Sequence, residues 1–299
     1  MDDRDRVLLL GADGQLGAAV ARRLAPRFLV QALGRTGGDL TQEPRLRVLV
    51  RDFQPDILIN AAAYTAVDRA EDEIEAAYAI NAIAPGILAE EACRLGAVFM
   101  QYSTDYVFSG DQSHPYTEED VVSPLNVYGA SKQEGEKRVL AAGGISYILR
   151  TAWLYGGSGR SFPNTIERLA REQARTGAPI RVVSDQYGSP TSVESLARAT
   201  ETLLMHPDLR DSPGVYHAAC RGETSWYGLA RAINKCLGLS ATITPIATRD
   251  YPTRAARPAY SVLSSAHLFE TFGVSLPFWR DALREYAQQK SAIQKMPLQ

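Results

Sequence analysis

Val7-Leu8-Leu9-Leu10 runs directly into Gly11-Ala12-Asp13-Gly14-Gln15-Leu16-Gly17, and a helical stretch from Ala18 to Leu24 follows before Pro26 stops it. No other feature restricts the fold of this chain as much. A short apolar run reads as a buried strand. Strand, glycine-rich turn and helix start, in that order, are the context that a dinucleotide fingerprint requires. The spacing is G-x-x-G-x-x-G, one residue longer in the first gap than the common dehydrogenase form. Glycines let the backbone pass close to a pyrophosphate, and the helix N-terminus presents free N–H groups to it. The plainer alternative is a structural turn that holds no ligand.

A second strand, Phe28 to Leu33, ends at Gly34-Arg35. A cofactor with a free ribose 2′-OH meets an acidic residue about 20 residues after the first glycine. Arg35 stands there instead, and a guanidinium suits a 2′-phosphate. The reading favours NADPH, with NADH as the alternative cofactor and Arg35 as a solvated loop residue as the plain one. Asp39-Leu40 lies just beyond, where it would border the adenine.

Apolar strands at 7–10, 28–33, 57–60, 98–103 and 147–152 alternate with helical segments near 15–25, 43–53, 72–94 and 125–142, the third interrupted or kinked by Pro85. This alternation argues for an α/β fold, a doubly wound parallel sheet of the Rossmann type. Ligands on such sheets bind at the carboxyl ends of the strands. Gly11 to Gly17, Arg35, Ala61-Ala62-Ala63 and Ser103-Thr104 all fall at such ends, so residues far apart in the chain converge on one edge. The second half is punctuated by proline turns such as Ser189-Pro190-Thr191 and Arg257-Pro258. It is expected to return strands near 180–190 and 214–219 to the sheet. Residues 153–179 and 191–299 would form a smaller, discontinuous substrate-binding cap on the dinucleotide-binding part at 1–152, with helices near 161–175, 192–205, 224–237 and 278–289.

Tyr128 and Lys132 are four residues apart in Tyr-Gly-Ala-Ser-Lys, within one of the helical segments. Residues i and i+4 share a helix face, and an adjacent cation favours a phenolate, so Lys132 would lower the pKa of Tyr128 and make it a usable acid/base. A hydroxyl from Ser103 or Thr104 would hold a carbonyl oxygen. Alone the pair is a weak signal, because helices place such residues together by chance.

The formal charge of −2 and a pI near 6.1 give no general attraction to nucleic acid or to an anionic membrane surface. The opening Met-Asp-Asp-Arg-Asp-Arg has no apolar h-region and no apolar run reaches the ~18 residues of a membrane span, so a cytoplasmic protein is expected. Cys93, Cys220 and Cys236 are scattered and read as reduced, packed thiols, and His114, His206, His217 and His267 lack metal-ligand spacing. No protein-built metal site is expected.

The chain resembles the extended short-chain dehydrogenase/reductases, and within them the dTDP-4-dehydrorhamnose reductase family, over almost its full length. The matching blocks are Gly-Ala-Asp-Gly-Gln-Leu-Gly (11–17), Asn-Ala-Ala-Ala-Tyr-Thr-Ala-Val-Asp (60–68), Tyr-Ser-Thr-Asp-Tyr-Val-Phe (102–108), Ser-Pro-Leu-Asn-Val-Tyr-Gly-Ala-Ser-Lys (123–132), Arg-Thr-Ala-Trp-Leu-Tyr (150–155), Asp-Gln-Tyr-Gly-Ser-Pro-Thr (185–191) and Arg-Pro-Ala-Tyr-Ser-Val-Leu (257–263). The first and fourth are shared across the superfamily; Ser-Thr-Asp-Tyr-Val-Phe and Asp-Gln-x-Gly-x-Pro-Thr are far more specific to the sugar reductases. The resemblance implies that Tyr128 protonates the C4 oxygen of a dTDP-linked 4-keto-6-deoxy sugar while the nicotinamide delivers hydride. It implies that Lys132 tunes Tyr128 and binds the nicotinamide ribose, and that Thr104 bonds the reacting carbonyl. Ala63, Tyr64, Thr65 and Tyr102 would line the cofactor. Asp105 and Trp153 would touch the sugar, with Tyr106 and Val107 nearby. The product would be dTDP-L-rhamnose, a cell-envelope precursor.

Each role has a plainer rival. Trp153 reads equally as core, Asp105 as a turn cap and Tyr106-Val107-Phe108 as strand-end packing. Arg254 and Arg257 meet the substrate diphosphate or are solvated loop charges. Asn81 shapes a helix kink, holds water in a proton path or caps a helix. Glu118-Glu119-Asp120 reads as a solvated loop. Ser264-Ser265-Ala266-His267 either contacts the sugar or starts a helix. Metal dependence stays open, as does the choice between monomer and homodimer. The competing activities are a 4-ketoreductase for another dTDP-deoxysugar, a nucleotide-sugar epimerase retaining NAD, against which Arg35 speaks, and a non-catalytic cofactor-binding regulatory subunit.

Overall fold

In the computed structural model, which describes residues 4–157, 159 and 161–294, the alternation of strand and helix is realised as a six-stranded parallel sheet. Residues 1–3 of the charged opening segment and 295–299 of the expected cap lie outside the described residues. The first half runs β1 (Arg6–Leu10), α1 (Gln15–Leu24), β2 (Leu29–Leu33), α2 (Glu43–Phe53), β3 (Ile57–Asn60), α3 (Val67–Ala70), α4 (Ile74–Tyr78), a π-helical turn (Ala79–Ile83), α5 (Ala84–Leu95), β4 (Val98–Thr104), α6 (Val127–Ala141) and β5 (Ile145–Thr151). The second half runs β6 (Leu154–Tyr155), α7 (Phe162–Thr176), β7 (Ile180–Val183), β8 (Tyr187–Gly188), β9 (Thr191–Ser192), α8 (Val193–Leu204), β10 (Gly214–His217), β11 (Thr224–Ser225), α9 (Trp226–Cys236), β12 (Ile243–Ile246), α10 (Ala266–Phe272) and α11 (Trp279–Gln294).

The sheet order is β10-β5-β4-β3-β1-β2. β3 and β4 are buried at every position, which is why they read as unbroken apolar runs: helices cover both faces. Alternate residues of β1 feed opposite layers. Val7 and Leu9 pack with Val20 of α1 and Leu196 of α8; Leu8 and Leu10 pack with Leu46 and Val50 of α2 and Leu88 of α5. The chain leaves β1 to β2 on one side and to β3 on the other, so a crevice opens at the carboxyl ends of β1 and β3.

One expectation is corrected and a second is refined. The strand at 214–217 joins the sheet beside β5, but 180–183 does not; it pairs in parallel with β12 in a separate two-stranded sheet. Its burial alternates, with Arg181 exposed, and a strand wet on one face does not fit a sheet covered on both. The break expected at Pro85 in the 72–94 helix is present just ahead of it, as the π-turn between α4 and α5. Pro85 sits in the first turn of α5 and brings no N–H to the helix ladder. Asn81 lies in that turn, buried, its Oδ1 accepting from Tyr64 N at 2.9 Å and its Nδ2 donating to Tyr64 O and Ser131 Oγ, both at 3.0 Å. The extra residue of the π-turn thus aims a polar side chain at the loop after β3 and at α6.

Among the described residues no helix is long and apolar enough to cross a membrane, and no group of three or more His, Cys, Asp or Glu side chains could hold a metal ion.

Candidate active site

The glycine turn is built by close backbone approach. Gly11 has φ +87°, and a Cβ there would fall 2.5 Å from Ala62 N. A Cβ on Gly17 would fall 2.1 Å from Gly11 O. Both glycines are therefore demanded by packing, one turn against the loop after β3 and one against itself. Gly11 N and Ala12 N donate to Leu33 O, and Asp13 Oδ2 accepts from Arg35 N at 2.9 Å, which fixes the β2 end against the turn. Gly14 precedes α1 with no side-chain cap, leaving the first N–H groups of that helix to a ligand.

A cavity of about 560 Å³ opens over this turn. Of the cofactor residues expected from sequence, Gly11, Gly14, Gln15, Leu16, Arg35, Asp39, Leu40, Ala61, Ala62, Ala63, Thr65, Tyr102, Tyr128 and Lys132 line it. Gly17 and Tyr64 do not. Gly17 acts behind the wall by letting α1 close on Gly11, and the Tyr64 hydroxyl is turned away to donate to Glu73 Oε2 at 2.6 Å. Asp39 is held by Thr41, whose N and Oγ1 both donate to its Oδ1; those bonds, then the Arg35 charge, keep its carboxyl below the usual range. Backbone N–H donors at one place, a guanidinium at Arg35 and an ammonium at Lys132 form a donor set that fits a phosphorylated dinucleotide.

Tyr128 and Lys132 enter from α6. Asn126 caps the helix, its Oδ1 accepting from Gly129 N at 2.8 Å, and its Nδ2 ties that cap to Ala256 O. Ser131 Oγ donates to Tyr128 O while accepting from Asn81, so the first turn of α6 is pinned to the π-turn. Burial pushes the Tyr128 phenol up to about 12, opposed by a hydrogen bond with the Thr104 hydroxyl. The expected lowering by Lys132 is corrected: the dry surroundings govern the phenol, and the Lys132 ammonium is directed to Tyr102 O at 2.6 Å. Burial also lowers Lys132 to about 8, against the pull of Glu136. At neutral pH the site thus holds a protonated phenol and an ammonium.

The expected substrate residues lie beside this cavity rather than in its wall. Thr104 is buried; its Oγ1 donates to Asp105 Oδ1 at 3.1 Å and accepts from Tyr106 N. Burial pushes the Asp105 carboxyl up to about 7, against the Ser261 and Thr104 hydroxyls. The Tyr106 ring meets Tyr128 edge-on, with centroids 5.7 Å apart. Val107 is wholly buried against Phe108, Tyr116 and Leu263, which makes it packing rather than an open wall. Trp153 holds a left-handed backbone, φ +46°, rare for a large side chain, and stacks on Trp226 at 3.5 Å with an interplanar angle of 4°. Arg257 makes a two-point pair with Asp68, at 2.9 and 2.7 Å, and Arg254 pairs with Asp72. Arg254 is thus a solvated loop charge with an exposed partner, whereas Arg257 is largely buried in its pair.

Some neighbours carry no local signal in the sequence. Trp226 follows an ordinary Ser-capped helix start, and only the fold brings it to Trp153. Glu118 is half-buried, its Oε1 accepting from His217 N at 2.6 Å, while Glu119 beside it is exposed as a solvated loop would be. Ser264–His267 opens α10, with His267 stacked on Tyr216 at 4.7 Å.

Residues 5–292 match the family model described as the RmlD substrate binding domain. A dTDP-4-dehydrorhamnose reductase of Burkholderia thailandensis is 42% identical over 292 residues, covering 93% of this chain and 96% of that one. A Streptomyces antibioticus protein named as a probable dTDP-4,6-dihydroxy-2-methyloxan-3-one 4-ketoreductase is also 42% identical, with 94% of each chain covered. The crystal structure of a Bacillus anthracis dTDP-4-dehydrorhamnose reductase in complex with NADP superposes with a TM-score of 0.90 at 34% identity, covering 96% of this chain and 99% of that one.

Proposed function

The chain belongs to the RmlD substrate binding domain family, and we propose that it reduces the C4 ketone of dTDP-4-dehydro-L-rhamnose with NADPH to give dTDP-L-rhamnose. The observation that carries this reading is that Tyr128 and Lys132, on one face of α6, open onto the same cavity as the glycine turn and Arg35. A proton donor, a cation and a dinucleotide cradle meet there.

Bound in the cavity, a reduced nicotinamide supplies the hydride. The turn from Gly11 to Gly17 and the start of α1 receive the pyrophosphate, Arg35 the 2′-phosphate, and Lys132 the nicotinamide ribose. Thr104 holds the C4 oxygen of the sugar. Tyr128 gives that oxygen its proton, and a phenol pushed up to about 12 is always loaded with that proton at neutral pH. The Lys132 ammonium, on the same helix face, opposes the charge left on the phenolate. Asp105, Tyr106 and the Trp153–Trp226 stack receive the sugar, and Arg257, released from Asp68, receives the diphosphate. Val107 supports this wall from behind.

A second reading is favoured by the equal 42% identity to the Streptomyces antibioticus protein: a 4-ketoreductase for another dTDP-deoxysugar. One assay separates them. The upstream dehydratase and epimerase generate the 4-keto sugar from dTDP-glucose, NADPH oxidation is followed at 340 nm on the order of minutes, and the product is identified by NMR. dTDP-L-rhamnose as the sole product supports the first reading. Its C4 epimer, or turnover only with a different keto sugar, supports the second. Absence of turnover with every dTDP-4-keto sugar overturns both.

A further inference from the structure

We propose that Glu136, locked in a buried ion pair with Arg150, is a positioning residue that keeps Lys132 an ammonium and leaves that ammonium free to serve the cavity. The proposal rests on the reading of Lys132 given above and adds what holds it.

Tyr128, Lys132 and Glu136 follow one another at four-residue steps on α6, one side chain per turn on a single face. Lys132 and Glu136 could pair directly along the helix. They do not. Glu136 Oε1 accepts from Ser103 Oγ at 2.5 Å and from Arg150 Nε at 3.0 Å, and its Oε2 accepts from Arg150 Nη2 at 2.7 Å. Both lone-pair faces of the carboxylate are used by β4 and β5, whose register sets Ser103 directly opposite Arg150. Lys132 Nζ is left to Tyr102 O. The two-point fork of a guanidinium outcompetes a point-charge ammonium for a carboxylate. Arg150 thus takes up the carboxylate geometrically while the negative charge of Glu136 still acts at Lys132.

The cluster is dry. Glu136, Arg150, Ser103 and Lys132 are each no more than 5% exposed. The ionisable groups around Lys132 are Tyr128 and Glu136 on α6, Tyr102 on β4, whose phenol burial keeps neutral, Asp105 after β4, Arg150 on β5 and, behind Arg150, His217 on β10. The π-turn contributes only the neutral Asn81. Burial and the Arg150 charge hold His217 down at about 3, so it is neutral. Its Nε2 lies 3.5 Å from Arg150 Nη1 and its Nδ1 3.1 Å from Tyr116 O. Below neutral pH the cluster therefore carries two cations and one anion, and Glu136 alone opposes the burial that would strip Lys132 of its proton. An isolated buried charge would neutralise itself; the carboxylate two turns from Tyr128 prevents this. The same bonds clamp α6 onto β4, which fixes Tyr128 against Thr104.

The test is the titration of Lys132, one of five lysines in the chain, followed by its 13Cε shift in lysine-labelled protein without added sugar and assigned with K132M. In the unaltered protein the shift is expected to titrate near pH 8. E136Q is expected to lower that midpoint by about one pH unit or more, since a buried neighbouring charge is removed. R150M is expected to move it upward, because Glu136 then swings to Lys132, and to weaken NADPH binding about tenfold as the ammonium is drawn off. The alkaline limb of kcat/KM moves with the midpoint in E136Q. If E136Q does not fold, the double variant E136Q/R150M, which removes both charges together, takes its place and is again expected to titrate below the unaltered protein. A Lys132 midpoint unmoved in a folded E136Q, or in the double variant, overturns the proposal and leaves the pair a purely structural clamp. Failure of the sugar reaction in every variant would count against the proposed activity alone, since the titration does not depend on it.

Discussion

Gly17→Ala probes the cradle most sharply. A Cβ at position 17 would lie 2.1 Å from Gly11 O and 2.6 Å from Gly11 C, where ordinary contact begins at 3.4 Å. The turn and α1 must therefore separate by about 1.3 Å, the difference between those two distances. No side chain can swing aside, because the atoms met are backbone, and Gly11 is itself held against Ala62. Overpacking of this kind costs about 1–3 kcal/mol, a fall of roughly 2–5 °C in Tm for a chain of this size. The shift moves the free N–H groups of α1 off the pyrophosphate, so NADPH affinity should drop about tenfold or more, since tenfold is about 1.4 kcal/mol. Gly177→Ala is the control. Gly177 sits at positive φ, +75°, which Gly17 inside α1 does not, and a Cβ there meets nothing within 4 Å. It should cost about 1 kcal/mol of stability with NADPH affinity unchanged. Calorimetric titration with NADPH and a thermal melt read both quantities on the same samples. Gly17→Ala protein binding NADPH within about twofold of the unaltered protein would refute the cradle, whatever its Tm.

Three further outcomes follow from the site. Asp105 has a folded pKa of about 7 against 3.8, so its ionisation costs stability once pH exceeds about 4, and the cost grows to about pH 7 and then stays constant; Asp105→Asn should raise Tm at pH 8, by at most about 4 kcal/mol of stability at ~1.4 per unit, and the gain should shrink towards pH 5. A Tm difference independent of pH would contradict this. Gly188→Ala places a Cβ 2.4 Å from Trp153 Cε2 and should push the indole off Trp226; the sugar KM should rise about tenfold with NADPH affinity unchanged, and an unchanged KM would remove Trp153 from the sugar site. Turnover should fall as pH rises through about 8, where Lys132 loses its proton, and not wait for Tyr128 at about 12; a profile flat to pH 10 would show that the ammonium is not needed.

What was legible in the sequence is what the chain encodes locally or by repetition. The run from Val7 to Gly17 declares a strand, a turn and a helix without reference to anything distant, and the same is true of the Tyr128–Lys132 face. Because parallel strands all end at one edge, knowing that Arg35, Ala61–Ala63 and Ser103 follow strands was enough to bring them to one cavity. What was not legible depends on pairings across the fold. Ile180–Val183 looks like any short strand, and only β12, some 60 residues on, decides which sheet it joins. Trp226 reaches Trp153 only through the fold, and Glu136 finds Arg150 across the α6–β5 packing. The direction of the Tyr128 pKa is hidden in the same way, because a sequence shows a neighbouring cation but not the burial that outweighs it. The sequence also does not show that Arg257 and Arg254 find carboxylate partners in Asp68 and Asp72, on and after α3, with the Arg254 pair exposed to solvent.

The central claim is that Tyr128 is the proton donor of a reduction carried out in the cavity over the glycine turn. Tyr128→Phe removes one hydroxyl from a ring that packs edge-on against Tyr106, so the fold and the NADPH site should remain. Single-turnover reduction of dTDP-4-dehydro-L-rhamnose by this variant, measured beside its NADPH dissociation constant, is the direct test. The account predicts a rate lower by about 10²–10⁴-fold with NADPH binding within about twofold of the unaltered protein. A rate within a factor of about ten of the unaltered protein, with the cofactor bound equally well, would contradict it.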